Sequence, residues 1–188
     1  CSDMGGWPGS RAAQHPGDFP DTSPSLIPTH VFMSPPQHVP ELEFVAHVNV
    51  ELDEPLELGS VLIGQRRIIP ITGGSITGPL LNAEILDGGA DWQMVSADGT
   101  AVIDTRYSAR TADGSLIYLA TRGFRHGPAE VLARVAAGED VARDEYYFRL
   151  QVNLESGGPG LEWLNNTVFI ASAGRNAMSV VYDLFAVR

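Results

Sequence analysis

Leu42-Glu-Phe-Val-Ala-His-Val-Asn-Val-Glu-Leu52 is the stretch that decides the fold. Leu42, Phe44, Ala46, Val48, Val50 and Leu52 alternate with Glu43, Val45, His47, Asn49 and Glu51. A period of two sends the two sets to opposite faces of a β-strand, whereas an amphipathic helix needs a period near 3.6. Asp53-Glu54-Pro55 ends the strand.

The same signature recurs downstream. Arg66–Ile71 and Leu80–Leu86 read as strands. Asp98-Gly99 and Asp113-Gly114 each separate alternating runs, a signal for tight primed turns. They predict that Gln93–Ala97 pairs with Ala101–Thr111, which pairs with Ser115–Gly123. On that middle strand Asp104, Arg106, Ser108 and Arg110 share a face with Val102, and Ala101, Ile103, Thr105, Tyr107 and Ala109 share the other. Tyr146–Leu154 alternates too. After the Gly157-Gly158-Pro159-Gly160 loop, Trp163–Ser172 and Ser179–Val187 complete the set. One helix is expected over Gly127–Gly138, with Pro128 at its first position, Glu130 in its first turn and Gly138 closing it. Many short strands with turn punctuation and one short α-helix predict an all-β antiparallel fold, as a barrel or a sandwich. The Arg, Tyr, Asn and Asp on one face of several strands predict a wet, ligand-holding interior.

Upstream of the first strand the composition changes. Pro8, Pro16, Pro20, Pro24, Pro28, Pro35, Pro36 and Pro40 recur among Gly, Ser, Asp and His without any period. Residues 1–40 therefore read as an extended Pro/Gly-rich N-terminal arm and residues 41–188 as the barrel domain. Leu26, Ile27, Val31, Phe32 and Met33 would pin the arm to a barrel surface, either of its own domain or of a neighbouring subunit in a homodimer. Cys1 leaves two readings open: a lipid-anchored, exported protein tethered by the arm, or a trimmed chain of a cytoplasmic protein.

The formal net charge of −11 argues against nucleic acid and anionic membrane as partners, since both need clustered Lys and Arg. No apolar run has the roughly 20 residues of a transmembrane helix. One cysteine excludes a disulfide framework and a multi-thiolate zinc site. The histidines, at 15, 30, 38, 47 and 126, show no ligand spacing, so no metal and no cofactor are expected.

Between Pro70 and Gln93 two glycine clusters, Gly73-Gly74 and Gly88-Gly89, bracket a short run. A phosphate cradle would open a helix and carry a Lys. Here a strand follows and no Lys is present, so the clusters read as strand bends. The second one delivers Asp91 beside Trp92. A carboxylate desolvated by an indole can serve as a general acid or base; capping of a turn is the alternative. Arg106 and Arg149, on polar strand faces, would meet Asp91 in the lumen and hold a carboxylate or enolate; structural ion pairing is the other reading. Thr72, Trp92, Tyr118, Tyr147 and Asn166 are the candidate substrate-binding residues.

Several motifs occur together: Pro70-Ile-Thr-Gly-Gly, Gly78-Pro79, Gly88-Gly-Ala-Asp-Trp-Gln93, Asp104-Thr-Arg-Tyr107, Gly123-Phe-Arg125 with His126-Gly-Pro128, Tyr146-Tyr-Phe-Arg149, and Trp163-Leu-Asn-Asn-Thr-Val-Phe169. In this order they resemble the family called domain of unknown function 3237, over about residues 42–187. The resemblance implies a compact antiparallel barrel with one helix and implies little about the reaction. The arm lies outside the family pattern.

The expected function is a barrel that binds a hydrophobic, oxygenated small molecule. As an enzyme it would be an isomerase, cyclase or lyase without cofactor, with Asp91 as base and Arg106 and Arg149 stabilising negative charge. The alternative is a non-catalytic binding or carrier protein using the same pocket.

Overall fold

The computed structural model describes residues 38–188. The arm residues Leu26, Ile27, Val31, Phe32 and Met33, their dimer contact and Cys1 lie outside the described residues. Eleven strands and one α-helix follow in order: β1 (Leu42–Leu52), β2 (Leu56–Val61), β3 (Gly64–Thr77), β4 (Ala83–Ile85), β5 (Gly89–Asp91), β6 (Met94–Val95), β7 (Ala101–Arg110), β8 (Leu116–His126), α1 (Ala129–Ala136), β9 (Tyr147–Glu155), β10 (Phe169–Arg175) and β11 (Ser179–Val187). Every pairing is antiparallel.

Hydrogen-bonded neighbours run β1-β11-β10-β9-β8-β7. The short strands β4, β5 and β6 lie end to end between β7 and β3 as one broken stave. β3 then pairs with β1 and closes the ring. Counting β4 to β6 as one stave, β1, β11, β10, β9, β8, β7 and β3 bring the closed barrel to eight. β2 folds back on the first half of β3 as an outer hairpin.

A barrel of about eight staves has an interior just wide enough for side chains to fill. The apolar parity therefore points in. On β7 the inward set is Ala101, Ile103, Thr105, Tyr107 and Ala109; on β9 it is Phe148, Leu150, Val152 and Leu154. Small residues such as Ala46, Ala109, Ala173 and Ala186 alternate with Ile, Leu, Phe and Tyr, so opposed strands interdigitate. This reverses the expectation of a polar, wet lumen: the faces carrying Arg106, Arg110, Tyr147, Arg149 and Asn153 point outward.

Boundaries follow local chemistry. β1 and β11 span the residues their periodicity predicts. In β1, however, a bulge lies between Phe44 and Ala46, so Val45 and Ala46 are both buried and Phe44 packs outside against Phe185. Leu80–Leu86 shrinks to β4 because Asn82 accepts from the Gly78 N–H and donates to the Gly78 carbonyl, making a turn of the preceding residues. Trp163–Ser172 begins as a 3₁₀ turn, Glu162–Asn166, and only then becomes β10.

The two Asp-Gly turns are hairpin turns, but wider than a two-residue primed turn. The Gly99 N–H reaches the Ser96 carbonyl and Ser96 pairs with Thr100; Gly114, Thr111 and Ser115 repeat the pattern. Each loop thus has three residues, ending on a positive-φ glycine. The aspartate accepts the backbone N–H two residues on, which fixes this form. At α1, Pro128 is the capping residue, just outside the helix.

Candidate active site

Adjacent residues of a strand point to opposite faces. This separates Asp91 from Trp92. Asp91, at the end of β5, is buried inside the barrel. Its Oδ1 accepts the Asp104 N–H at 3.1 Å and its Oδ2 accepts the Gln93 side-chain N–H at 2.7 Å. Burial raises the carboxyl above its ordinary 3.8, outweighing both hydrogen bonds and the attraction of Arg67 and Arg125. The β5 backbone has to pass close to β7 to place it there: a Cβ on Gly89 would stand 2.4 Å from the Tyr107 Cβ.

Three guanidinium groups, none of them singled out in the sequence, surround the same end of the lumen. Arg67 donates through Nε to Gln93 Oε1 at 2.8 Å, with a second bond from its terminal nitrogen. Gln93 thus links Arg67 to Asp91. Arg125 is buried, 8% exposed, and its Nε has no hydrogen-bond partner among the described residues. Desolvation, then Arg175 and Arg67, pull its pKa from the ordinary arginine value down to about 10, so it stays charged at neutral pH. Arg175 is lowered likewise, burial first and Arg67 next. No ion pair among the described residues involves Asp91, Arg125 or Arg175.

Two spaces share Arg125 and Arg175 as walls. The inner one, about 30 Å³, has room for a water or two and is otherwise lined by Asp91, Gln93, Thr105, Thr121, Tyr107 and Tyr182 among apolar side chains. The outer one, a recess of about 320 Å³, lies between Arg67, the Asp53-Glu54-Pro55 turn, the end of α1 and the Ala177-Met178 turn. On the inner wall Tyr107 and Tyr182 share a hydroxyl hydrogen bond of 2.5 Å, and Thr105 and Thr121 one of 2.6 Å. Each pair uses one of its two hydroxyl protons between its own oxygens, leaving the other to donate elsewhere. Burial raises both tyrosines well above 10, so they remain protonated donors.

The other sequence candidates lie elsewhere. Trp92 faces outward beneath the Arg106 guanidinium, 5.7 Å from the ring centre. Arg106 pairs with Asp104 at 3.3 Å, so the ion-pair reading describes it. Arg149 lies over the exposed Tyr147 ring and donates to the Phe148 carbonyl. Thr72, Tyr118 and Asn166 are exposed, Thr72 as the extra residue where β3 slips against β1 and Asn166 in the 3₁₀ turn. Of the proposed set only Asp91 lines the lumen. Among the described residues no three His, Cys, Asp or Glu side chains cluster as a metal site.

Residues 38–188 thus form a closed antiparallel barrel with one helix and one charged, partly unpaired end. A family model described as "Protein of unknown function (DUF3237)" matches residues 40–187, and the chain belongs to that family. A UPF0311 protein of Rhodopseudomonas palustris is 34% identical over 78% of this chain and 96% of its own length. Among solved structures, a β-barrel-like protein of Acinetobacter baumannii is 45% identical, covering 84% of this chain and 99% of that one, with a TM-score of 0.70. A conserved protein of unknown function from R. palustris reaches 0.76 at 32% identity over 80% and 99%. A Penicillium herquei protein described as an enzyme shares the fold, with a TM-score of 0.61 at 20% identity over 83% and 100%.

Proposed function

We propose that this barrel is an enzyme acting on a hydrophobic, oxygenated small molecule by proton transfer, as an isomerase, cyclase or lyase, with Asp91 as general base. The observation that carries the reading is Asp91 itself: a buried carboxylate with no ion-pair partner among the described residues, on the wall of a cavity that also presents Arg125, whose Nε has no hydrogen-bond partner there. Desolvation strengthens a carboxylate base, and the ideal catalytic pKa lies closer to neutrality than that of an exposed aspartate. A water in the inner cavity, which has room for one or two, carries a proton from a carbon or hydroxyl of a substrate in the outer recess to Asp91. The electron pair left behind is an enolate or alkoxide, which Arg125 and Arg175 stabilise. Protonated Asp91 then returns the proton through that water to a different atom, with the Tyr107–Tyr182 pair as a hydrogen-bond donor to the water. This replaces Arg106 and Arg149 by Arg125 and Arg175 in the charge-stabilising role. The Penicillium herquei likeness speaks for the fold and lends no residue a role.

Exchange of substrate protons for solvent deuterium reads the first step without knowledge of the product. A panel of cyclic ketones and hydroxyaryl ketones, incubated in D₂O and followed by proton NMR, should contain members whose acidic C–H exchanges in the presence of the protein. Asp91→Asn should slow that exchange by about 100-fold or more, the range for a general base. Exchange as fast in Asp91→Asn as in the wild type sinks the assignment. Binding with no exchange in either protein makes the barrel a carrier.

A further inference from the structure

We propose that the outer recess is a subsite for an organic monocarboxylate, whose carboxylate oxygens accept hydrogen bonds from Arg125 and Arg175 at the junction with the lumen. Three observations carry this. The Nε of Arg125 is buried without a partner, although a charged N–H left unpaired in the interior is among the more costly defects a fold can hold. Arg175 shares both spaces with it and enters no ion pair among the described residues. Between them Arg67, Arg125 and Arg175 bring three positive charges to one end of a chain whose formal charge is −11. Asp91 offsets one of these from the lumen side without contacting any of them. Glu57 reaches Arg67 at 3.9 Å, but among the described residues no acid pairs with Arg125 or Arg175, and a carboxylate matches the fork of a guanidinium.

The rest of the recess narrows the class. Pro55, Ala136, Ala137, Ala177 and Met178 give it a small apolar wall. Asp53 and Glu54 stand on its rim, and the C-terminal turn of α1 presents its carbonyl end. A second negative charge on the ligand would meet all three. The site therefore selects a monoanion with a compact apolar body over dicarboxylates and phosphates.

This inference deepens the proposed function by giving the substrate an acidic end, but its test is binding and needs no turnover. Benzoate and cinnamate are titrated into the full chain at low ionic strength, beside benzamide, cinnamamide, phthalate and phenyl phosphate. The readouts are calorimetry and the Nε–H signals of ¹⁵N-labelled arginine. Millimolar benzoate or cinnamate should bind and shift one buried arginine Nε–H, which is absent from Arg125→Lys. The amides and the doubly charged probes should bind at least about tenfold more weakly. Arg125→Gln and Arg175→Gln should each weaken carboxylate binding at least about tenfold, while Arg106→Gln, on the outer surface, leaves it unchanged. If Arg125→Gln does not fold, Arg175→Gln and the Nε–H shift decide. Amides binding as well as acids, a recess indifferent to Arg175→Gln, or no binding by either monocarboxylate overturns the proposal. Asp91→Asn should keep benzoate binding, so loss of exchange with retained binding, or the reverse, separates failure of the base assignment from failure of the subsite.

Discussion

Asp91 and Trp92 are neighbours in the chain and lie on opposite sides of one barrel stave. The Asp91 carboxylate sits inside, 2.7 Å from the Gln93 amide nitrogen, and the Trp92 ring lies outside under Arg106. Trp92→Ala and Arg106→Gln should therefore leave ligand binding and proton exchange intact. Each should cost less than about 1 kcal/mol, as expected for a partly exposed cation–π pair, measured by urea denaturation.

The burial of Asp91 makes stability pH-dependent in a definite direction. Its folded pKa is raised above the ordinary 3.8, so the folded protein holds this proton at pH values where the unfolded chain has released it. The fold is thus penalised as pH rises from 3.8 through the raised value. Wild-type stability relative to Asp91→Asn should fall over that interval and then level off. A difference independent of pH would contradict a desolvated carboxylate.

Tyr107 and Tyr182 join β7 to β11 across the lumen through their hydroxyls, 2.5 Å apart. Removing one hydroxyl leaves the other buried without its partner, so Tyr107→Phe or Tyr182→Phe should each cost about 1–3 kcal/mol. The double variant should cost less than the sum of the two, because the second change removes a group already orphaned. Thermal unfolding of the four proteins closes the cycle.

Gly89 holds β5 against β7. An added Cβ would stand 2.4 Å from the Tyr107 Cβ and 2.8 Å from the Arg106 carbonyl oxygen. Gly89→Ala should destabilise by about 1–3 kcal/mol or more and displace Asp91 along with its stave. Gly157→Ala, where nothing lies within 4 Å of the added carbon, should change stability by no more than about 0.5 kcal/mol.

Much of the barrel was legible because period-two runs are strongly specified by burial on one side. β1, β9 and β11 fall where their alternation predicts, to within a residue. The broken stave was not, since β4, β5 and β6 have two or three residues each and owe their place to pairing with β3 and β7. The inward face was misjudged because polar residues on one parity suggest a wet lumen, whereas apolar side chains fill this eight-stave barrel and leave room for only a water or two. The signal for the missed residues was present in that parity. Arg125 follows Ile117, Leu119 and Thr121 on β8, and Arg175 follows Phe169, Ala171 and Ala173 on β10. A charged residue at the end of an apolar, inward register marks the mouth of a barrel. Reading it requires knowing which register is inward, and that depends on barrel closure, which no single strand reveals.

The most direct measurement is a titration of the Asp91 carboxyl by ¹³C NMR, alone and with benzoate. Asp91 should titrate above 3.8, and rise further in Arg125→Gln and on benzoate binding, because each removes positive potential from its surroundings. An Asp91 that titrates at or below 3.8 and ignores both changes would contradict a desolvated base facing the Arg125–Arg175 end of the barrel.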